Sequence, residues 1–408
     1  MTRHRSPQPL PRRLKRGAMS TAGLVCGTIA LATALAVPAA ALDIPVGEQY
    51  KLTFYGFLNP AVTWDSRGSK GVDWAFASPN SAREDSAFGI NVRNTRLGLD
   101  FAPRPEAGIA VGGKAEVDFV DSEDTGGFPK SIRIRHIYGT VELWGLTVLV
   151  GQTWSFLHQI EPATVNTTNL FGQGHIYDRV PQVRVSKEWG NLRVALQALT
   201  QRQGLGALVG PGAGGSSISS DQPNWQGEVH YRVPDGPLKG ALVGVGGSVG
   251  SVRVKTPVGG ESVEHWAAGL ELFLPYTLGP YTLSLGAKGW VGQGAGYGTA
   301  ADQFAVVDAA GRPESIRSLG GFLDLGVARG RWAVHAIVGL DDPEDTVRGV
   351  AVDRRLNRTV LTNVTYALTK WLDLGLEYQF VETKYRPSLS AQSVDRNERV
   401  LTSVFLKW

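Results

Sequence analysis

One cysteine, two methionines and seven histidines in 408 residues leave little for a disulfide framework or a zinc cluster. Cys26 stands alone, and the histidines show no His-x-x-x-His spacing. After Leu42 no stretch approaches the ~18–20 consecutive apolar residues of a membrane helix. A decisive excess of one charge is also missing: 41 basic residues face 37 acidic ones. The small surplus sits at the start. Residues 1–41 hold Arg3, Arg5, Arg12, Arg13, Lys15 and Arg16 and no acid, followed by an apolar run from Ala18 to Val37 and then Ala39-Ala40-Ala41. A positive head, an apolar middle and small residues at the end describe a cleaved secretory signal peptide. Without it, 35 basic residues meet 37 acidic ones, which removes the case for a nucleic-acid partner. An uncleaved anchor, a twin-Arg signal, lipidation at Cys26 and a start at Met19 are the rival readings, and the Ala-rich site favours cleavage.

What the chain does have is glycine, 51 residues of it, and a strict period of two. Val111, Gly113, Ala115, Val117 and Phe119 alternate with Gly112, Lys114, Glu116 and Asp118. Trp225–Val233 and Leu372–Phe380 repeat the pattern. Successive strand side chains point to opposite faces, so each segment has one apolar and one polar wall. Full charges on the polar wall, lengths near the ~9–11 residues that cross a bilayer, and aromatics near segment ends favour an all-β transmembrane antiparallel barrel. Trp64, Phe101, Phe119, Tyr231, Tyr281, Trp332, Phe380 and Trp408 are those aromatics. Lipid leaves no partner for an open sheet edge, so the strands must close. About sixteen segments are expected, from Lys51 to the one at Glu398. Short periplasmic turns at 103–106, 144–145, 189–191, 279–280, 329–330 and 370–371 alternate with long extracellular intervals at 65–87, 155–180, 202–224, 292–317, 340–357 and 382–397. Residues 42–408 read as a single domain.

The chain ends in an alternating strand, Val400 to Trp408, closed by an aromatic. This ending is similar to the C-terminal signature of bacterial outer-membrane barrels. Tyr50–Leu58, Asn94–Leu99, Ile132–Tyr138, Val150–Ser155, Asp178–Val185 and Leu372–Tyr378 resemble trimeric porins, most closely the DcaP-like porin family. The resemblance implies a sixteen-strand homotrimer in the Gram-negative outer membrane, among its lipids and lipopolysaccharide. It also implies a third long loop, here 154–180, folded into the lumen. Only Leu42–Gln49 precede the first strand, so the periplasmic coiled coil of some members has no counterpart.

In such a barrel, pore width and lining charge set what passes. The candidate lining is Arg96, Lys114, Glu116, Asp118, Arg133, Arg135, Arg184 and Arg193, with His158, Glu161, Asp178 and Arg179 contributed by the loop. Arginine stays charged and matches carboxylate geometry. The expected function is therefore passive diffusion of small hydrophilic solutes, with a preference for anions such as small organic acids. A substrate-specific channel with a saturable site is the alternative; a barrel lipid hydrolase or a soluble exported β-protein rank lower. No cofactor, metal or catalytic residue is expected. Gly246–Gly250 matches Gly-x-Ser-x-Gly but lacks the strand–turn–helix setting that makes it catalytic. The acids of 340–357 read as a solvated loop rather than a calcium site.

Overall fold

The structure is a computed structural model describing residues 42–47, 50–69, 76–78, 86–103, 109–120, 131–200, 222–256, 259–295, 299–301, 303–392 and 394–408. The proposed leader, the interval 202–221 and turn residues 104–106 lie outside them. Sixteen antiparallel strands form one closed barrel. β1 comes in two pieces, Tyr50–Leu58 and Ala61–Asp65, and so does β2, Ala87–Asn91 and Arg96–Pro103. The others are continuous: β3 Ala110–Asp118, β4 Arg133–Leu143, β5 Leu146–Trp154, β6 Arg179–Trp189, β7 Leu192–Leu199 and β8 Asn224–Arg232. Then come β9 Leu242–Thr256, β10 Gly259–Leu278, β11 Tyr281–Gln293, β12 Arg317–Arg329, β13 Trp332–Pro343, β14 Arg354–Ala367, β15 Leu372–Tyr385 and β16 Asp395–Lys407. Every segment expected from the alternation is present.

Outward positions carry the apolar set. On β13, Val334, Val338 and Leu340 are exposed on the isolated chain while Ile337 and Asp341, on the opposite face, are buried inside. Aromatic side chains stand outward at both rims, Trp144, Trp189 and Trp332 at the short turns and Trp64, Trp225 and Tyr378 toward the long loops. Tight two-residue turns close the short side, and the one after β4 is of type I′. Trp144 and Gly145 both take positive φ, 53° and 70°, which lets two residues join strands with the native twist.

Closure runs through β1. Its second piece pairs with β16 from Ala61↔Ser403 to Asp65↔Arg399, and Leu58 and Phe57 pair with Leu406 and Lys407. Pro60 interrupts the ladder because it has no N–H. Asn59 compensates: its Nδ2 donates to Ser403 Oγ at 2.5 Å and to the Val404 carbonyl at 3.0 Å. Leu42–Val46 covers the remaining edge of β1, opposite Phe54 to Tyr50. Inside the seam, Arg399 donates from Nε and Nη2 to Asp65 at 2.8 and 3.1 Å, and neither side chain is exposed to any extent. Removing one member of a buried pair strands the other. Asp65→Ala should therefore cost about 3 kcal/mol of barrel stability, read as a lower unfolding midpoint in detergent. A midpoint within error of the parent would contradict that role.

Candidate functional site

β3 turns Lys114, Glu116 and Asp118 inward by simple alternation. On β4 the alternation breaks. Glu116 pairs with His136 and Val117 with Ile134, leaving Arg135 without an opposite residue. This bulge lets Arg135 and His136 both turn inside, as bulges re-aim side chains. Arg133 then grips Asp118 as a fork, Nε to Oδ1 at 2.8 Å and Nη2 to Oδ2 at 2.6 Å. Arg135 donates to Glu116 at 2.5 Å and to Asp118 at 2.9 Å. Tyr55 Oη donates to the other Glu116 oxygen at 2.8 Å. Paired ions of this kind are bidentate and geometrically fixed.

Arg133 and Arg135 share one recess with Arg96 of β2, Arg179 of β6 and Asp178, facing Thr168 and Tyr177 of the loop. The Arg179 guanidinium lies 4.5 Å from the centre of the Trp154 ring. Four guanidiniums thus gather against the carboxylates of Glu116, Asp118 and Asp178.

Segment 155–178, between β5 and β6, forms the recess's other side, and its path is set by the opposite wall. Backbone N–H groups of the loop donate to a succession of inward side chains. Phe156 donates to Gln226 at 3.0 Å and Leu157 to Glu228 at 3.1 Å, both acceptors on β8. Gln159 and Ile160 donate to the two oxygens of Glu271 on β10 at 3.3 and 3.1 Å. Ala163 donates to Asp324 on β12 at 2.8 Å, and Val165 and Asn166 to Glu377 on β15 at 2.7 and 3.3 Å. The wall partners each carboxylate as well: Arg193 with Glu228, His230 with Glu271, His335 with Asp324, and Asn363 and Gln379 with Glu377. Lys288 donates to the Leu157 carbonyl. A buried loop needs such partners for its backbone polar groups.

Beside these polar contacts the inner wall carries an apolar cluster beneath the loop. Ile160 and Leu170 pack with Leu242, Phe322, Ile337 and Leu361. These inward positions meet the loop and make apolar contacts there instead of facing water.

The loop returns past Gly172–Gly174. Asn357 donates to the Gly172 carbonyl and Trp290 Nε1 to that of Gly174, each at 2.9 Å. Gly174 has φ +107°, and a Cβ there would collide with the Gly321 carbonyl oxygen of β12. Gly174→Ala is expected to weaken the loop's seat by about 1–3 kcal/mol and to speed proteolytic cutting within 155–178. Equal cutting rates in both proteins would remove that role.

The remaining candidates separate. Lys114 pairs with Asp100 at 3.3 Å and sits over Tyr55, outside the recess. Arg184 binds Gln182, Gln197 and the Trp154 carbonyl, and Arg193 binds Glu228, so both serve the wall. Glu161 accepts from Asn169 Nδ2 at 2.5 Å. His158 presents no charge to the lumen. Its side chain is 4% exposed, its ring lies against Trp154 at 3.6 Å, and it stacks with His175. Burial pushes both imidazoles below the ordinary histidine range, which keeps them neutral.

Two other sequence features resolve plainly. Ser248 of Gly246–Gly250 lies mid-strand in β9, with Oγ 2.9 Å from His265 Nε2 and His265 Nδ1 2.8 Å from the Gly294 carbonyl. At 3% and 5% exposure the pair ties wall to loop and offers no open nucleophile. In 340–357, Asp345 pairs with Lys384 at 3.1 Å, and Glu344 accepts from the Arg317 backbone at 2.7 Å. Among the described residues no acidic or histidine cluster is arranged for a metal.

Comparison with known proteins fits this geometry. The profile of the family described as Gram-negative porin matches residues 27–386. The outer membrane channel DcaP of Acinetobacter baumannii shares the fold at a TM-score of 0.70 and 20% identity, covering 90% of this chain and 99% of its own. An anion-selective porin from Comamonas acidovorans gives 0.55 at 13% identity, over 88% of this chain and all of that one. OmpF of Salmonella typhi gives 0.55 at 11%, over 90% of this chain and all of its own. No curated protein matches the sequence.

Proposed function

The chain belongs to the Gram-negative porin family, and on that footing we propose that it is an outer-membrane diffusion channel preferring small anions such as organic acids. One observation carries the preference: the guanidiniums of Arg96, Arg133, Arg135 and Arg179 converge on one recess between loop and wall. A focused positive potential between low-dielectric walls concentrates anions. The Comamonas acidovorans neighbour, described as anion-selective, agrees with this reading. In it, residues 1–41 are removed on export, residues 42–408 form the barrel, and 154–180 is the constriction. The channel has no catalytic role, and no cofactor enters.

The protein assembles as a homotrimer in this reading. Outward Ile90, Ile132, Ile134 and Ile137 on and beside β2 and β4 make an aliphatic patch suited to a neighbouring copy. The reversal potential in planar bilayers across a salt gradient tests the selectivity, and clear cation preference would defeat it. Trp154 beside the arginines favours a second reading, a saturable organic-acid site. Dose-dependent blocking of single-channel current by candidate acids would mark that site, and strictly linear flux would dismiss it.

A further inference from the structure

The interval between β1 and β2 places residues 76–78 inside the barrel, against the return of the lumenal loop. Phe76 and Ala77 are 3% and 1% exposed. Their stem is tied to the seam: Ser69 pairs with Ala77, and the Ser78 N–H donates to the Gly68 carbonyl at 2.9 Å. Ser69 Oγ in turn accepts from Arg399 Nη2 at 2.7 Å and donates to Asp65 at 3.3 Å. Two strand ends hold the tip. Tyr385 Oη donates to the Ala77 carbonyl at 2.7 Å. Arg354, opposite Tyr385 in the register, lays its guanidinium 4.7 Å from the centre of the Phe76 ring.

This segment backs onto the loop through a relay of hydrogen bonds. The Ala77 N–H donates to Thr383 Oγ1 at 3.1 Å, the Thr383 hydroxyl to Asn357 Oδ1 at 2.8 Å, and Asn357 Nδ2 to the Gly172 carbonyl at 2.9 Å. Phe76 makes the apolar half of the same contact. A Cβ on Gly172 would collide with Phe76 Cζ and stand 3.3 Å from both Cε1 and Cε2. Equal distances to the two Cε atoms mean that the ring meets Gly172 end-on. Gly172 also has φ +67°, so its missing Cβ serves the turn and the approach together. One residue back, Phe171 lines the arginine recess with Thr168 and Tyr177, its ring 5.3 Å from that of Tyr177. Phe76 therefore stands behind the turn whose front forms one side of the recess.

We propose that Phe76 is a positioning residue for the constriction: its ring presses on the Gly172 turn from behind and sets how far Phe171 and Tyr177 stand from the arginines. A close-packed contact transmits displacement because no void on either side absorbs it. The wall carboxylates fix the loop's outward course, and this ring fixes its return. The proposal rests on residues 154–180 being the constriction, and it is independent of the channel's charge preference.

The test compares the full chain with Phe76→Ala, Phe76→Leu and Phe76→Tyr by two readouts. Hydrogen exchange across residues 170–175 reports the turn, and liposome swelling in arabinose relative to glycerol reports the width open to uncharged solutes. Phe76→Ala should speed exchange about tenfold and raise the arabinose-to-glycerol ratio about twofold, because the turn retreats into the space left. Phe76→Leu keeps an apolar side chain of shorter reach and should fall between alanine and the parent. Phe76→Tyr carries its hydroxyl on Cζ, straight toward Gly172, so it should push the turn forward and lower the ratio about twofold. A contact that only adds stability would shift the alanine and tyrosine variants in the same direction. That result would overturn the proposal, as would parent-like exchange in Phe76→Ala. If Phe76→Ala does not assemble, the opposite shifts of the leucine and tyrosine variants carry the test. Faster exchange with parent-like swelling in every variant would uphold the contact and defeat the reading of 154–180 as the constriction.

Discussion

Replacing Arg133 and Arg135 together by glutamine reverses the sign of the reversal potential. The recess of the parent sets four guanidiniums against Glu116, Asp118, Asp178 and, beside Arg96, Glu161. Losing two positive charges leaves Arg96 and Arg179 against four carboxylates, and Asp118 loses both of its arginine partners. Each charge is worth about 1 kcal/mol to a nearby ion even in a wet site. The anion-to-cation permeability ratio should therefore fall by at least about tenfold. Adding Glu116→Gln and Asp118→Asn removes two negative charges as well, which restores the parent's balance, and the parent's selectivity should return. If the double variant stays anion-selective, selectivity is set elsewhere in the lumen.

Glu271→Gln with Glu377→Gln is expected to raise single-channel conductance, by about twofold where the loop leaves its seat. Each carboxylate accepts two loop N–H groups, one on each oxygen. An amide offers one oxygen and presents an NH2 to the second donor, so each substitution orphans a buried N–H. That costs about 1–3 kcal/mol per orphan, enough to shift a loop held by a handful of such bonds. The barrel's strand ladders are untouched, so the unfolding midpoint should move less than the conductance does. Parent-like conductance and parent-like current noise would show that the apolar contacts of Ile160 and Leu170 suffice.

Strand existence was legible because alternation in β3, β8 or β15 is a local property that lipid outside enforces. The recess was legible in part: Arg96, Arg133 and Arg135 could be placed inward one strand at a time, whereas Arg179 was read as part of the loop and opens a strand instead. The burial of His158 was not legible, because a histidine in an aperiodic loop gives no sign of which ring it will meet, and here it meets Trp154. Glu228 and Glu377 stood at inward positions of clear strands, yet only the loop's position reveals that they hold backbone N–H groups rather than face solutes.

The amino-acid order by itself determined the inward and outward face of each strand and the apolar-aromatic ending shared with outer-membrane barrels, because each depends on residues within about ten positions of one another. Tertiary structure alone decided that a bulge turns His136 inward beside Arg135, that four acids on distant strands carry the loop, and that an apolar cluster of inward side chains packs beneath it. Those facts depend on which strands face one another across a closed cylinder, and side-chain partners 70 to 212 residues apart leave no periodic trace along the chain.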